Sequence, residues 1–590
     1  MELIFDIETD GLLDDLSRIH CIAAIDRQAG KSYDFGPDQI QEGLDFLATA
    51  DALTGHNILR FDLPAIRMLH PSWGWDGLAT DTMVLSKVIW ADLRERDARA
   101  RSQNPELPAK DTGSHALGAW GRRLGVTKDD YEGGFDEWNQ EMHDYCIQDV
   151  VVTSALYDLI LKRGLDERCW NLEHKVAEIC FRQERYGFSF DTHAAADLYG
   201  RLSSRRDELA RDLAGLFPDW EVRTPFTPKV NNQKLGYEKG VPTYKTKVIE
   251  FNPNSRDHIA LKLTEKYGWK PVDFTTNGKP RVDEVVLSKL KYPEAKLLAE
   301  NFLLTKRIGQ LSEGRYGWMN LVKPDGRIHG GVNTNGAVTG RMTHAYPNMA
   351  QVPSTRAIYG KECRDLFYAA DGYKLVGCDA DALELRCLAS YMAFWDGGAY
   401  TDVVLHGNKA EGTDTHTRNA SALGCDRDTA KTWFYAFIYG AGDRKLGSIL
   451  GGNSKRGAES KASFFKALPA LGELVAAVRA KAEDRGRLIG LDGRPLYVRS
   501  AHAALNTLLQ SAGAVIMKQA LVILDEDLKD VPAHFVANVH DEWQLEVKEG
   551  HEDDVGRRAV DAIRRAGEML GCQCPMDAQY VVGRTWADTH

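Results

Sequence analysis

The first nine residues, MELIFDIET, alternate apolar and acidic side chains with the period of a β-strand. Asp6 and Glu8 stand two apart on it and so project to one side. The stretch EMHDYCIQDVVVTSALYDLILK, residues 141–162, changes to helical periodicity, and a mostly helical region runs on to about residue 215. Residues 217–253, rich in Pro, Lys and Tyr, read as a loop or mobile hairpin. Ser255 in FNPNSRDHIALKL suits a helix cap, and helices continue to about residue 315. Residues 325–395 mix strand and helix, and residues 405–485 are mainly helical. AHFVANV and WQLEV form two short strand-like runs around His540-Asp541-Glu542, the pattern of a hairpin. The pattern predicts a mixed α/β protein without internal repeats.

One helical stretch, RDTAKTWFYAFIYGAG, repeats chemistry at steps of four. Arg427, Lys431, Tyr435 and Tyr439 drift about 40° per step and make one stripe roughly 18 Å long. Two cations followed by two rings suit a molecule with an anionic end and a flat end, as in a nucleoside triphosphate. An amphipathic helix with solvated cations and core tyrosines explains the stripe equally well by itself. Gly440 and Gly442 end the helix.

At 590 residues several domains are expected, and 43% hydrophobic with 27% charged residues is the balance of a globular chain. No apolar run approaches the roughly 20 residues that cross a bilayer, and no membrane partner is expected. MELIFDIETDG shows no basic segment before an apolar one, so no signal peptide and a cytoplasmic location are expected. Ten scattered cysteines without a CxxC fit a reduced protein without structural zinc. The net charge of −11 is unevenly spread. Residues 1–70 carry 13 acids and 5 bases, which fits a metal-collecting site. Residues 219–291 carry 14 Lys and Arg against 9 acids, which fits a surface touching a phosphate backbone. Each run is also what an ordinary solvated face looks like.

Asp6, Glu8, Asp62 in GHNILRFD and Asp149 sit in apolar frames, and Tyr145 shares a helix face with Asp149. Buried acids are costly without compensation, which divalent cations with oxygen preference supply. Each acid taken singly reads as a surface carboxylate; the combination is more specific. A second set lies in LVGCDADALELR, where a strand delivers Asp379, Asp381 and Glu384 to a helix starting near Leu383. Asp381 reads as a cap of that helix. Asp541, between His540 and Glu542, sits at a hairpin tip that alone would be an ordinary polar turn.

The first 165 residues resemble the DEDD 3′–5′ exonuclease domain, a ribonuclease H-like fold, through FDIET, GHN…FD and YxxxD. That resemblance implies that Asp6, Glu8, Asp62 and Asp149 hold metal and that Tyr145 orients the attacking water. From there to the C-terminus the chain resembles family A DNA polymerases, nearest to the bacteriophage T7 replicative type. The motifs are NGAVTGRMTH, NMAQVP, DADALELR, DTH, the stripe, LDGR, LNTLLQSAG and NVHDE, in the family's order. The resemblance implies a right-hand polymerase at 166–590: thumb at about 190–320, palm at about 325–405 and 495–590, fingers at about 406–494.

It also implies site roles. Asp379 and Asp541, with the Ala380 carbonyl, hold two Mg²⁺, with Mn²⁺ able to substitute. Arg427, Lys431 and His416 take the nucleotide's phosphates, and Lys431 can protonate pyrophosphate. Tyr435 stacks on base and sugar, Tyr439 shapes the templating pocket, and Glu384 excludes a 2′-hydroxyl. Arg341, Gln510 and His540 lie along the primer–template. The implied partners are primer–template DNA, dNTPs, a helicase–primase and a single-strand-binding protein, in phage genome replication within the host cytoplasm.

Two family features are missing. The segment 217–253 is too short for the thioredoxin-docking insertion of T7-type enzymes, so thioredoxin dependence is not expected. The match begins directly in the exonuclease region, so no 5′ nuclease domain is expected. The rival readings are a dedicated 3′–5′ exonuclease whose C-terminal half only binds nucleic acid, a single-subunit RNA polymerase, and a non-catalytic binding protein.

Overall fold

The computed structural model describes residues 1–103, 108–126 and 131–590. Strand β1 (Glu2–Thr9) lies between β2 (Ile19–Asp26), its antiparallel neighbour, and β4 (Ala52–Gly55), its parallel one. With β3 (Lys31–Phe35) and β5 (Leu78–Asp81) at the edges, the sheet order is β3-β2-β1-β4-β5. Leu3, Phe5 and Ile7 fill a core on one face of β1. Ile4, on the other face, packs with Cys146, Val150 and Tyr157. The period of two therefore turns Asp6 and Glu8 toward the side that carries residues 146–157. The short helix α1 (Asp62–Leu69) follows β4 in the chain. The helix predicted at 141–162 is α2 (Gln140–Leu161), capped by the Asn139 side chain at 2.8 Å from Met142 N. Helix α3 (Glu167–Tyr186) follows.

Contacts divide the chain into two compact units. The first comprises Met1–Phe188, His329–Val352 and Tyr368–His590; the second comprises Ser189–Ile328 and Pro353–Phe367. The segments expected as exonuclease, palm and fingers thus fall mainly in the first unit, and the expected thumb falls in the second.

In the second unit, α4 (Thr192–Leu216) is followed by a hairpin of β6 (Trp220–Phe226) and β7 (Thr243–Ile249). This is the Pro-, Lys- and Tyr-rich segment, and its strands are exposed on both faces apart from their ends. With no apolar face to bury, it lacks the core that would make it a sheet layer. Ser255 caps α5 (Arg256–Tyr267), its Oγ accepting from His258 N at 3.3 Å. Helix α6 (Pro293–Ile308) packs on α4, where Arg205 Nε donates to Glu300 at 2.8 Å.

In the C-terminal part of the first unit, β8 (Tyr373–Ala380) runs into helix α7 (Leu383–Asp396). Helix α8 (Arg427–Ile438) carries the stripe. Helix α9 (Ala504–Asp527) precedes the hairpin of β9 (Ala533–Val539) and β10 (Glu542–Lys548). Helix α10 (Glu552–Met569) and β11 (Ala578–Gly583) complete an antiparallel sheet of order β9-β10-β8-β11. The pattern predicts no membrane-length apolar run, yet Ala501–Asp527 is by length and composition apolar enough to cross a bilayer. It is apolar because 83% of that window is buried inside the fold. All ten cysteines are free thiols.

Candidate active sites

The N-terminal acids meet at the end of β1. Asp62, first residue of α1, accepts the Ile7 amide at 3.3 Å and so sits beside the strand bearing Asp6 and Glu8. Burial pushes its carboxyl up to about 7, and the charges of Asp81 and Asp149 add to the effect. Asp149 is itself buried on α2. Tyr145, one turn earlier, lies ring to ring with Tyr131 at 5.7 Å. A carboxyl that burial and neighbouring acids keep from ionising, set beside further carboxylates, is what a hard divalent ion satisfies.

Sequence reasoning missed two members of this neighbourhood. The Cys146 thiol and the carboxylates of Asp6 and Glu8 lie within 4.8 Å of one another. The signal was its spacing, three residues before Asp149 on the same helix. Asp81 accepts from Met83 N at 2.9 Å and from Asn57 N at 3.0 Å, fixing both the helix that follows it and the GHN loop. An Asp directly before an apolar helix, as in TDTMVLSKVI, was its signal.

The second acid pair is made by the central strand and the hairpin beside it. Asp379 faces Glu542 across β8 and β10, and the Ala380 amide donates to the Asp541 carbonyl at 3.0 Å. His540 takes a left-handed conformation (φ 60°) to form the tip. Burial, then the charges of Asp541 and Glu542, push the Asp379 carboxyl up to about 7. Desolvation by the surrounding fold raises Asp541 as well, although both carboxylates keep solvent-exposed surface. These donors fit divalent cations for the same reason as the first set. Glu542 turns inward, accepting from Trp586 Nε1 at 2.6 Å and Gln544 Nε2 at 2.7 Å. Asp381 does not cap α7, contrary to expectation. Ala382 occupies the cap position with φ 47° and no side-chain hydrogen bond. That left-handed residue leaves the Asp381 carboxylate with Gln579 of β11, at 3.3 Å.

Arg341, Glu384, His540 and Asp541 line one small cavity of about 30 Å³ together with Gly513 and Met517 of α9. Gln510, half-buried, is one turn before Gly513. Glu384 accepts from Arg341 at 2.6 Å and from the Tyr439 hydroxyl at 2.6 Å, contacts that sequence could not reveal.

Asp426 caps α8, accepting from Thr429 N at 2.9 Å. Trp433, Phe434 and Phe437 bury one face of the helix, which leaves Lys431 exposed and Tyr435 half-buried on the other. The helix ends at Ile438, one residue before the stripe does, so Tyr439 is its terminal cap and Gly440 takes φ 78°. The two tyrosine rings still stack, 6.4 Å apart at 26°. Arg427 pairs with Asp414 at 3.0 Å. Burial opposes ionisation of Asp414, but hydrogen bonds from Arg427, Thr417 and the His416 amide hold it at about 2. The His416 ring lies 5.8 Å from that of Tyr435, and burial, then the Lys431 and Arg427 charges, lower its proton affinity. Anionic phosphate placed here meets Lys431, which is in no ion pair among the described residues.

LDGR proves internal. Arg494 bonds Asp492 at 2.6 Å and also Glu173 of α3, which takes Lys518 of α9 at 2.7 Å. Asn335 joins them through Lys518 at 3.0 Å. All four charged groups are at most 2% exposed. Gly340 has φ 78°, and a Cβ there would come within 2.3 Å of Arg494 Nη1, so the GR motif needs its glycine.

The DNA polymerase family A profile matches residues 232–588. The DNA-directed DNA polymerases of Enterobacteria phage T3 and Escherichia phage T7 are each 35% identical to the chain over the whole of both proteins. Those alignments run over 715 positions against 590 residues here, so about 125 positions have no counterpart in this chain. Among solved structures, the POL domain of Pol1 from M. smegmatis, in complex with DNA primer-template and dNTP, shares the fold with a TM-score of 0.72. It is 17% identical, with 99% of this chain and 96% of that one covered. A profile match over more than half the chain, joined to full-length likeness to the two phage enzymes, makes this chain a member of the family A DNA polymerases.

Proposed function

We propose that the chain extends a primer 3′ end with dNTPs under template direction and removes mispaired ends with a 3′–5′ exonuclease site. The observation that carries the synthetic reading is the meeting of Asp379 and Asp541, two solvent-reachable carboxylates of raised proton affinity, on adjacent elements in the same compact unit as the Lys431–Tyr435 face. Asp379, Asp541 and the Ala380 carbonyl would hold two Mg²⁺, or Mn²⁺ in their place. Such ions, when bound, activate the attacking oxygen and neutralise the leaving one. Lys431, Arg427 and His416 bind and orient the triphosphate, and Lys431 holds the proton available to pyrophosphate. Tyr435 packs on the incoming base and sugar. Glu384, fixed by Arg341 and Tyr439, closes the space a 2′-hydroxyl would need. Arg341, Gln510 and His540 meet the minor groove of the new pair, where acceptor positions are common to all pairs.

For the N-terminal set, the sheet order with β1 antiparallel to β2 and parallel to β4 supports a ribonuclease H-like exonuclease domain. Asp6, Glu8, Asp62 and Asp149 would hold its Mg²⁺, and Tyr145 would orient the water. Limited discrimination at one site is what a second, hydrolytic site offsets. The partners that fit are primer–template DNA and dNTPs, with helicase–primase and single-strand-binding protein in phage-type replication.

Primer extension with Mg²⁺ tests both halves. Native protein is expected to extend; Asp541→Ala should lose extension yet shorten single strands, and Asp6→Ala should do the reverse. Native protein that shortens but never extends would establish the dedicated nuclease instead.

A further inference from the structure

A cavity of about 890 Å³ in the first compact unit has no part in either site above. Arg96, Arg99, Arg163, Arg485 and Arg487 line it, with Asp92 as its acid. Asp92 is committed to Arg96 Nε at 2.8 Å, and Arg99 Nη2 donates to the Tyr497 hydroxyl at 3.2 Å. Arg163 stacks over Trp90, 5.6 Å from the ring centre. Among the described residues neither Arg163 nor Arg487 is in an ion pair. Arginines accumulated to this density repel one another unless an anion lies among them.

The groove's walls come from two parts of the chain. Residues 89–99 and 163–165 belong to the N-terminal region, and residues 485–497 follow the helices after α8. The segment from Pro495 and Tyr497 continues to His502, whose carbonyl would lie 3.4 Å from a Cβ on Gly440. Gly440 directly follows Tyr439. One short run of backbone therefore leads from the arginines to the end of α8.

We propose that this groove binds an unpaired DNA strand through its phosphodiester backbone. Guanidinium groups take phosphate oxygens two at a time, and half-buried Tyr497 offers a ring on which a base can stack. An unpaired strand reaches such a place from two sources, the template ahead of synthesis and a frayed primer end. The inference rests on the polymerase reading and needs a test that separates the two.

The test measures binding and extension by native protein, Arg163→Ala, Arg487→Ala and the double variant. One substrate carries a 20-nucleotide 5′ template overhang, one a single-nucleotide overhang, and one a mispaired primer end on the short overhang. Native protein is expected to bind the long overhang more tightly than the short one. The double variant should erase that advantage and lower the slope of log affinity against log salt by about 1.4, roughly 0.7 for each phosphate contact removed. It should still extend the short-overhang substrate normally. Loss confined to the mispaired primer assigns the groove to the primer strand, still an unpaired strand. Equal affinity of variant and native protein on all three substrates overturns the proposal, as does an equal loss on all three. So does unchanged DNA binding with lost affinity for a polyglutamate peptide, which would mark an acidic partner. Failure of native protein to extend any primer would instead overturn the polymerase reading.

Discussion

The Tyr439 hydroxyl and Arg341 Nη2 each donate to Glu384, at 2.6 Å, so the residue that ends α8 is tied to the helix following Asp379. A carboxylate held by two donors is a rigid wall rather than a mobile charge. In Glu384→Ala the wall is gone, and discrimination against ribonucleotides should fall by roughly 10- to 200-fold, the range one steric contact supports. The ratio of kcat/KM for dNTP and NTP reads this; an unchanged ratio removes Glu384 from the selection.

The Tyr435 ring lies half-buried on the face of α8 that carries Lys431, 5.8 Å from the ring of His416. That hydroxyl can stand in for a missing sugar 3′-hydroxyl, so dideoxynucleotides should be used readily by native protein. Tyr435→Phe should turn against them by about 10- to 100-fold, the worth of one hydrogen bond in a closed site. Competition of dATP with dideoxy-ATP measures it, and strong discrimination already present in native protein refutes the role.

Lys518 and Arg494 balance Glu173 and Asp492 in an interior with almost no solvent. Removing one partner leaves a buried charge uncompensated. Lys518→Ala should cost about 3–5 kcal/mol of stability, read as a lowered melting temperature. A melting temperature within a degree of native would show that the network is dispensable.

His344 is buried with neither ring nitrogen hydrogen-bonded among the described residues, and burial lowers its pKa to about 4. The unfolded ring takes its proton near the usual 6.5, earlier than the folded one as pH falls. The unfolded state then binds more protons, so stability should decline as pH drops from about 6.5 to about 4. The decline amounts to roughly 3 kcal/mol at most. His344→Asn should flatten this part of a melting-temperature profile; a profile of unchanged slope assigns the effect elsewhere.

The hairpin β6–β7 stands where T7-type enzymes are expected to carry their thioredoxin-docking insertion, and about 125 alignment positions are absent from this chain. Added thioredoxin should leave primer-extension product length within about twofold. A tenfold gain would show that the short hairpin is a sufficient dock.

Sequence pattern was strongest where one short segment carries its own geometry. Asp6 and Glu8 share a side because a strand has period two. Arg427, Lys431 and Tyr435 share a face because a helix turns every 3.6 residues. Ser255 caps a helix because its hydroxyl reaches an amide three residues on. The pattern failed at Asp381, since nothing local announces that Ala382 adopts φ 47°. It failed again at Ala501–Asp527, whose apolar girth reflects a surrounding core that no local window contains.

By itself the sequence determined the elements, the order of the motifs and the acids available for metal. Tertiary structure alone decided which groups meet: Cys146 with Asp6, Tyr439 with Glu384, Lys518 with Glu173, and five arginines around one groove. Local periodicity is written in backbone geometry a few residues long. Proximity between residues hundreds of positions apart, and the proton affinity it imposes, exist only once packing has excluded water from between them.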